Sequence, residues 1–396
     1  MSERQAAMQD FLARSGWGAA RVTPLPGDAS TRRYARLAMD GRKAMLMDQP
    51  QGAETPTAPA GADEEMRRAL GYNAVARLAG ADCARFAAVA AWLRGHGLAA
   101  PDIYAADHAN GFVILEDLGD ALFADVLAQD GDEKALYEAA VEVLAKLHAH
   151  DAPSYLSPPA ATRASPLAAT SPSSASREGE ADLRFPLYNF DQTALMAETD
   201  LLTEWFMPLV LGRKATETEV AEHRGLWRTA LSGIGMMRRI FVHRDYHAQN
   251  LLWLPERKGV ARVGLIDFQD AVAGSPAYDL ISLTKDARRD VSPELAQIAT
   301  NHYLAAMKAQ GTPLEEHAFR REMAVMAAQR NAKIVGIFAR LYQRDGRPRY
   351  LAFLPRVLGH LEQDLAHPAL GDLRAWYDRV IPKDRRAVAP LQVEQV

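Results

Sequence analysis

The sequence predicts an α+β protein in which a small antiparallel sheet with accompanying helices precedes a larger helical region. Three observations carry this expectation. Short strand-length runs separated by turn formers crowd the first 115 residues, and helical periodicity takes over after Glu116-Asp117-Leu118-Gly119. One compact β-like stretch, Phe241 to Phe268, then interrupts the helices.

The chain has 396 residues, enough for two to three domains of about 150 residues each and for a core that needs no staples. Lys+Arg 46 against Asp+Glu 50 leaves a net charge of −4 and a pI near 6.3. Without a long Lys/Arg block this balance offers no footing for nucleic acid or an anionic membrane. The single cysteine, Cys83, excludes an internal disulfide and any Cys-based zinc cluster, and it fits a reducing compartment. The opening MSERQAAMQDFLARSGWG carries charges where a signal peptide would be apolar, and no window of about 18 residues is apolar and free of charge. The expectation is a cytoplasmic protein with no nucleic-acid partner and no membrane partner.

Arg21–Pro26, Arg33–Met39 and Arg42–Met47 are strand-length runs. Gly27-Asp28-Ala29-Ser30 and Asp40-Gly41 separate them as turns, and Asp-Gly between two apolar runs is a strong hairpin signal. A Pro/Ala/Gly-rich loop follows from Gln49 to Ala62. Glu64–Leu78 and Cys83–Gly95 read as helices closed by glycine, and Ile103–Ala106 and Phe112–Leu115 as two further strands. Glu133–His150 has apolar residues at helical spacing, as do Thr193–Leu211 and Glu217–Ser232. Between them, residues 151–182 repeat Pro, Ala and Ser and bury too little apolar surface to order themselves, so they are expected to form a disordered insertion. The domain reading is 1–115 for the sheet-bearing part, 116–119 for a hinge and 120–396 for the helical part.

The chemistry concentrates in FVHRDYHAQNLLWLPERKGVARVGLIDFQDAVAGSPAYDLISL, residues 241–283. Asp245, Asn250 and Asp267 stand out on an apolar background. Leu251–Leu254 and Val260–Ile266 flank the turn-like Pro255-Glu256-Arg257-Lys258-Gly259, and a hairpin there brings Asn250 and Asp267 together at its open end. Asp245 lies five residues upstream. Two carboxylates and an amide oxygen are hard ligands suited to magnesium shared with substrate phosphates, and a carboxylate beside such a metal can take the proton of a hydroxyl. That is the minimum apparatus of phosphoryl transfer.

His243-Arg244-Asp245-x-x-x-x-Asn250 resembles the protein-kinase catalytic loop, and Asp267-Phe268-Gln269 stands where that family has Asp-Phe-Gly. The spacing, the hairpin and Pro276-Ala277-Tyr278-Asp279-Leu280 are closer to the aminoglycoside phosphotransferase family of small-molecule kinases. Within it, GDASTRRY at 27–34, ILEDLGD at 114–120, IDFQDAVAGSPAYDL at 266–280 and VGIFARLYQRDGRPRYLAFLPRV at 335–357 resemble the bacterial anomeric N-acetylmuramate/N-acetylglucosamine kinases of cell-wall recycling. The resemblance implies a two-lobed, protein-kinase-like fold and transfer from ATP, with Mg2+, to the anomeric hydroxyl of an amino sugar. It implies that Asp245 is the catalytic aspartate and that Asn250 and Asp267 are magnesium ligands. The linker Glu116, Asp117 and Leu118 would receive the adenine edge, and the turn Gly27, Asp28, Ala29 and Ser30 would cover the phosphates. His243 and Asp279 would give structural support to the catalytic loop.

One departure stands out. Where the family ends its third strand with a phosphate-gripping lysine or arginine, this chain has Met47, and Asp82 and Phe86 flank the position of the acidic partner. Loss of both members of an ion pair is more coherent than loss of one; Arg32 or Arg33 could supply the missing cation. On the sugar side, Glu198 and Trp205 are seven apart on one predicted helix and so share a face; they suit a sugar pocket, and equally an amphipathic helix packing Trp205 inward. His243-x-Asp245-x-His247 read as a metal cluster leaves Asn250 unexplained. Two other functions stay open: a kinase of another small alcohol or an aminoglycoside, or a catalytically silent nucleotide-binding regulator.

Overall fold

The computed structural model describes residues 2–27, 31–50, 54–159, 184–235 and 238–386. Most of the stretch 151–182, and the turn residues Asp28, Ala29 and Ser30, lie outside the described residues. The chain divides into two compact units. One comprises Met1–Val143, Ala152–Tyr188 and Ala248–Ala271; the other comprises Leu144–Asp151, Asn189–His247 and Val272–Val396.

The first unit is built on an antiparallel sheet of β1 (Arg21–Pro24), β2 (Arg33–Met39), β3 (Arg42–Asp48), β4 (Ile103–Asp107) and β5 (Phe112–Leu115), in the order β1-β2-β3-β5-β4. Asp40 and Gly41, at φ 50° and 76°, make the tight turn between β2 and β3, the left-handed pair that matches strand twist. Strand alternation gives the sheet two unlike faces. Leu37, Ala44, Leu46, Phe112 and Ile114 bury against Phe11, Leu12 and Trp17, the first two of which lie on the helix Glu3–Arg14. Tyr34, Arg36, Met45 and Met47 face the other way, paired Tyr34 with Met47 and Arg36 with Met45. The helix Glu3–Arg14 has no counterpart among the sequence expectations, although Ser2 and Gln5 spell its capping box.

Glu64–Leu78, expected as one helix, is two short ones, Glu64–Leu70 and Tyr72–Ala76. Gly71 between them sits at φ 103°, which no continuing helix can accommodate. Cys83–Gly95 forms as expected, capped by the Asp82 side chain on Ala84 N and Arg85 N. The linker 116–119 lies within this unit, and so does the hairpin of Leu251–Trp253 with Val263–Leu265. That hairpin docks through its backbone: Leu265 N donates to Ala99 O at 2.9 Å and Trp253 N to Ala121 O at 2.7 Å. A Cβ on Gly264 would lie 3.3 Å from Leu118, so the hairpin packs directly beneath the linker.

The second unit is organised by the long helix Glu316–Gln343, against which Gln192–Leu201, Ala277–Thr284 and Leu354–Leu365 pack. It is crossed tightly at Gly336, where a Cβ would come within 2.6 Å of Leu201 Cβ; only glycine admits that approach. The helix expected over Thr193–Leu211 is interrupted by a π-helical turn, Leu202–Phe206, beginning at the residue after Leu201. A short ladder of Ile240–Val242 with Val272–Gly274 leads into the loop that carries Asp245. Among the described residues no helix is long and apolar enough to cross a membrane.

Candidate active site

In the second unit the loop after Ile240–Val242 is held by its backbone. The Asp279 carboxylate, fully buried in the first turn of the helix Ala277–Thr284, accepts from His243 N at 2.7 Å and from Arg244 N at 2.9 Å. These bonds fasten Arg244 at φ 75°, an unusual conformation for a non-glycine residue that persists only when its surroundings over-determine it. The Arg244 side chain is fixed as firmly. Its guanidinium pairs with Glu198 and lies 4.7 Å over the Phe190 ring. His243 is buried with its ring edge-on to Tyr246. Behind them His148 Nε2 stands 3.8 Å from Asp279, while its Nδ1 meets the Tyr303 hydroxyl at 2.7 Å.

Asp245 follows Arg244 and is half-buried. It lines a cavity of about 100 Å³ together with His247, Arg288, Arg330, Lys333 and Phe338. Burial opposes its ionisation, but Lys333, Arg244 and Arg330 outweigh that and hold its carboxyl below the usual range. Lys333 is positioned by Glu198 at 2.9 Å and by the Tyr278 hydroxyl at 3.3 Å.

Glu198, expected at the sugar, has no exposed surface. Its carboxylate is engaged by Arg244, Lys333 and Gln329. Burial raises its pKa, and Lys333 and then Arg244 bring it below the ordinary value. This supports a bracing role rather than direct contact. Trp205 lies in the π-helical turn, half-buried, so the seven-residue relation that put it on Glu198's face does not survive.

In the first unit Asn250 and Asp267 meet at the open end of the hairpin, with Asn250 Nδ2 3.4 Å from Asp267 Oδ2. Asp267 is also at positive φ, 62°. Gln269 donates to Asp267 Oδ1 at 2.9 Å, and Arg32 Nη1 lies 3.7 Å from the same oxygen. Arg32, not Arg33, is the arginine that faces this carboxylate. Arg33 begins β2 exposed, and alternation places it on the face of the sheet opposite Tyr34. Met47 is buried with its sulfur 3.5 Å from the Tyr34 hydroxyl. At the other departure Phe86 stacks on Phe268, with centroids 4.9 Å apart. Arg85, which sequence reasoning missed, is buried and clamps the loop by donating to Gln269 O and Ala271 O.

Gly27 is exposed in the loop between β1 and β2. Along the linker, Glu116 accepts from Arg257 at 2.6 Å and Asp117 pairs with Arg36 at 2.7 Å. Leu118 is half-buried against the hairpin. Lys333 and Arg330 were missed as well. Their signal is two cations three residues apart, and so on one face, in a helical run that turns apolar after them, Arg330-Asn331-Ala332-Lys333-Ile334-Val335.

A model of the phosphotransferase enzyme family matches residues 21–317. A Caulobacter vibrioides protein named N-acetylmuramate/N-acetylglucosamine kinase is 41% identical over 97% of this chain and 99% of its own length. A Pseudomonas aeruginosa protein of the same name is 30% identical over 93% and 92%. Among solved structures, a microcompartment-associated aminopropanol kinase matches with a TM-score of 0.54 at 15% identity, covering 91% of this chain and 98% of that one, a likeness that concerns the fold alone. The two-lobed kinase-like fold, the paired hairpin residues and these matches over nearly the whole chain agree: the chain belongs to the phosphotransferase enzyme family and is a kinase that uses ATP to phosphorylate an alcohol group.

Proposed function

We propose that this kinase phosphorylates N-acetylmuramate and N-acetylglucosamine at the anomeric hydroxyl. The observation that carries the reading is the 41% identity over nearly the full length of both chains to a kinase named for those two sugars. The cavity beside Asp245 supports it independently. Arg288, Arg330 and Lys333 surround a single lining carboxylate, a wall that repels the cationic aminoglycosides and amino alcohols other kinases of this fold accept.

In this reading Asp245 orients the sugar hydroxyl and receives its proton. The bond from the sugar oxygen to the γ-phosphorus forms as the bond from phosphorus to the ADP oxygen breaks. An anomeric hydroxyl is more acidic than an ordinary alcohol, so a carboxylate held well ionised by Lys333 suffices as base. Asp279 and His243 hold the loop, and Glu198 positions Lys333 and Arg244.

The donor phosphates are assigned to the first unit. Asn250 and Asp267 offer an amide oxygen and a half-exposed carboxylate, a hard donor set that fits Mg2+ shared with phosphates. When bound there, magnesium would neutralise phosphate charge. Arg32 contributes the cation that Met47 does not, and the backbone of 116–118 borders the adenine.

The test is incubation of the purified protein with ATP, Mg2+ and each free sugar. The expected product is an acid-labile glycosyl phosphate with phosphorus–H1 coupling in its NMR spectrum. A 6-phosphate, or turnover only of aminoglycosides or amino alcohols, would overturn the assignment.

A further inference from the structure

We propose that Arg288 and Arg330 form a carboxylate-binding subsite beside Asp245, which makes an amino sugar bearing an acid group the preferred acceptor over its neutral counterpart. The proposal rests on the amino-sugar kinase reading above and names what that site selects for.

Three cations line the cavity, and they are not equivalent. The charge of Lys333 is matched by Glu198 at 2.9 Å. Arg330 is buried on the helix Glu316–Gln343, and its contacts are neutral: Nη2 donates to Ser282 Oγ at 2.8 Å and Nη1 to Lys285 O at 3.5 Å. Those contacts fix the plane of the guanidinium without cancelling its charge. Arg288 Nη1 is 3.5 Å from His247 Nε2, and the buried Asp286 carboxylate takes the Arg288 backbone N–H at 2.8 Å. Among the described residues, neither guanidinium has a carboxylate within 4.0 Å. Burial depresses His247 to about 4, so at neutral pH the imidazole beside Arg288 adds no charge.

A cation held in a partly desolvated cavity with no carboxylate in direct contact is costly. The cost is recovered when a ligand supplies the anion, and a planar guanidinium suits a carboxylate better than a point charge does. Of the two sugars, N-acetylmuramate differs from N-acetylglucosamine by a lactyl ether that ends in a carboxylate. About 100 Å³ has room for that arm next to the hydroxyl that Asp245 serves. Another anion, the phosphoryl group in transfer, has the same chemistry at this place, and the test separates the two.

The acceptors are N-acetylmuramate and its methyl ester, which has the same shape without the charge. The proteins are wild type, Arg288→Gln and Arg330→Lys, the last retaining charge in case loss of Arg330 prevents folding. For wild type, kcat/KM for the acid should exceed that for the ester at least tenfold. Arg288→Gln should cut this ratio about tenfold through KM, and Arg330→Lys should cut it in part. An unchanged ratio overturns the proposal. An equal fall for acid and ester also overturns it, assigning the arginines to the phosphoryl group. Calorimetric binding of acid and ester without ATP reads the subsite apart from turnover. Preferential binding of the acid with no phosphorylation of either sugar upholds the subsite and removes the amino-sugar kinase reading; equal binding, or none, overturns the subsite.

Discussion

The guanidinium of Arg32 lies 3.7 Å from the carboxylate of Asp267, on the face of the sheet where Met47 places a thioether. Arg32 is largely buried. Desolvation works against its charge, but the Tyr34 hydroxyl and then Asp267 outweigh that and raise its pKa. In the proposed function this charge, kept ionised beside Asp267, stands in for the lysine that the third strand lacks at Met47.

Arg32→Met should therefore raise the KM for ATP at least tenfold, and Arg32→Lys should restore part of the loss, because a point charge keeps the attraction without the fork. Steady-state kinetics at saturating sugar read this directly. An Arg32→Met enzyme with wild-type KM for ATP would place the phosphate cation elsewhere.

Asp245→Asn keeps the shape of the side chain and removes the proton acceptor. The expected loss is in kcat, by roughly 100- to 10,000-fold, with the dissociation constant of ATP changed by no more than a few-fold, since the residue acts on the acceptor. Equilibrium nucleotide binding beside single-turnover rates makes the comparison. Turnover within a few-fold of wild type would mean that another group takes the proton.

Glu198 faces two cations while having no exposed surface itself. Glu198→Ala strands Lys333 and Arg244, and breaking a buried pair from one side costs about 3–5 kcal/mol. The urea midpoint should fall accordingly, and Glu198→Gln should fall less. If either variant instead kept its midpoint and lost only sugar affinity, Glu198 would be a sugar ligand after all.

His223 and His247 are buried and neutral, with burial lowering them from 6.5 to about 3 and about 4 respectively. In the unfolded chain both protonate near 6.5, so the unfolded state binds more protons below that pH and stability falls as pH falls. Each contributes up to about 1.4 kcal/mol per pH unit between its two values. Chemical denaturation at pH 7, 6 and 5 should show the loss setting in below about 6.5, and His223→Gln should flatten it. A midpoint constant from pH 7 to 5 would contradict the burial of these rings in neutral form.

Much of the architecture was legible because its causes are local. The Asp40-Gly41 turn, the strand-length runs of the sheet and the 3.6-residue periodicity after the linker are short-range patterns. The hairpin that joins Asn250 to Asp267 follows from two apolar runs and the turn between them. Gly71 is a local signal too, and it divides a helix that periodicity alone would run through.

What sequence spacing could not decide was which charge meets which. Arg32 and Arg33 are neighbours, and the two faces of the sheet separate them, one toward Asp267 and one away. Glu198 reads as a sugar ligand until Arg244, 46 residues on, and Lys333 close over it. The seven-residue step from Glu198 to Trp205 fails at the π-helical turn beside the close crossing of Leu201 and Gly336. Turns and periodicities depend on residues a few positions apart, so the chain by itself determined them. The pairing of buried charges depends on desolvation and on partners brought together by packing, and only the tertiary structure decided it.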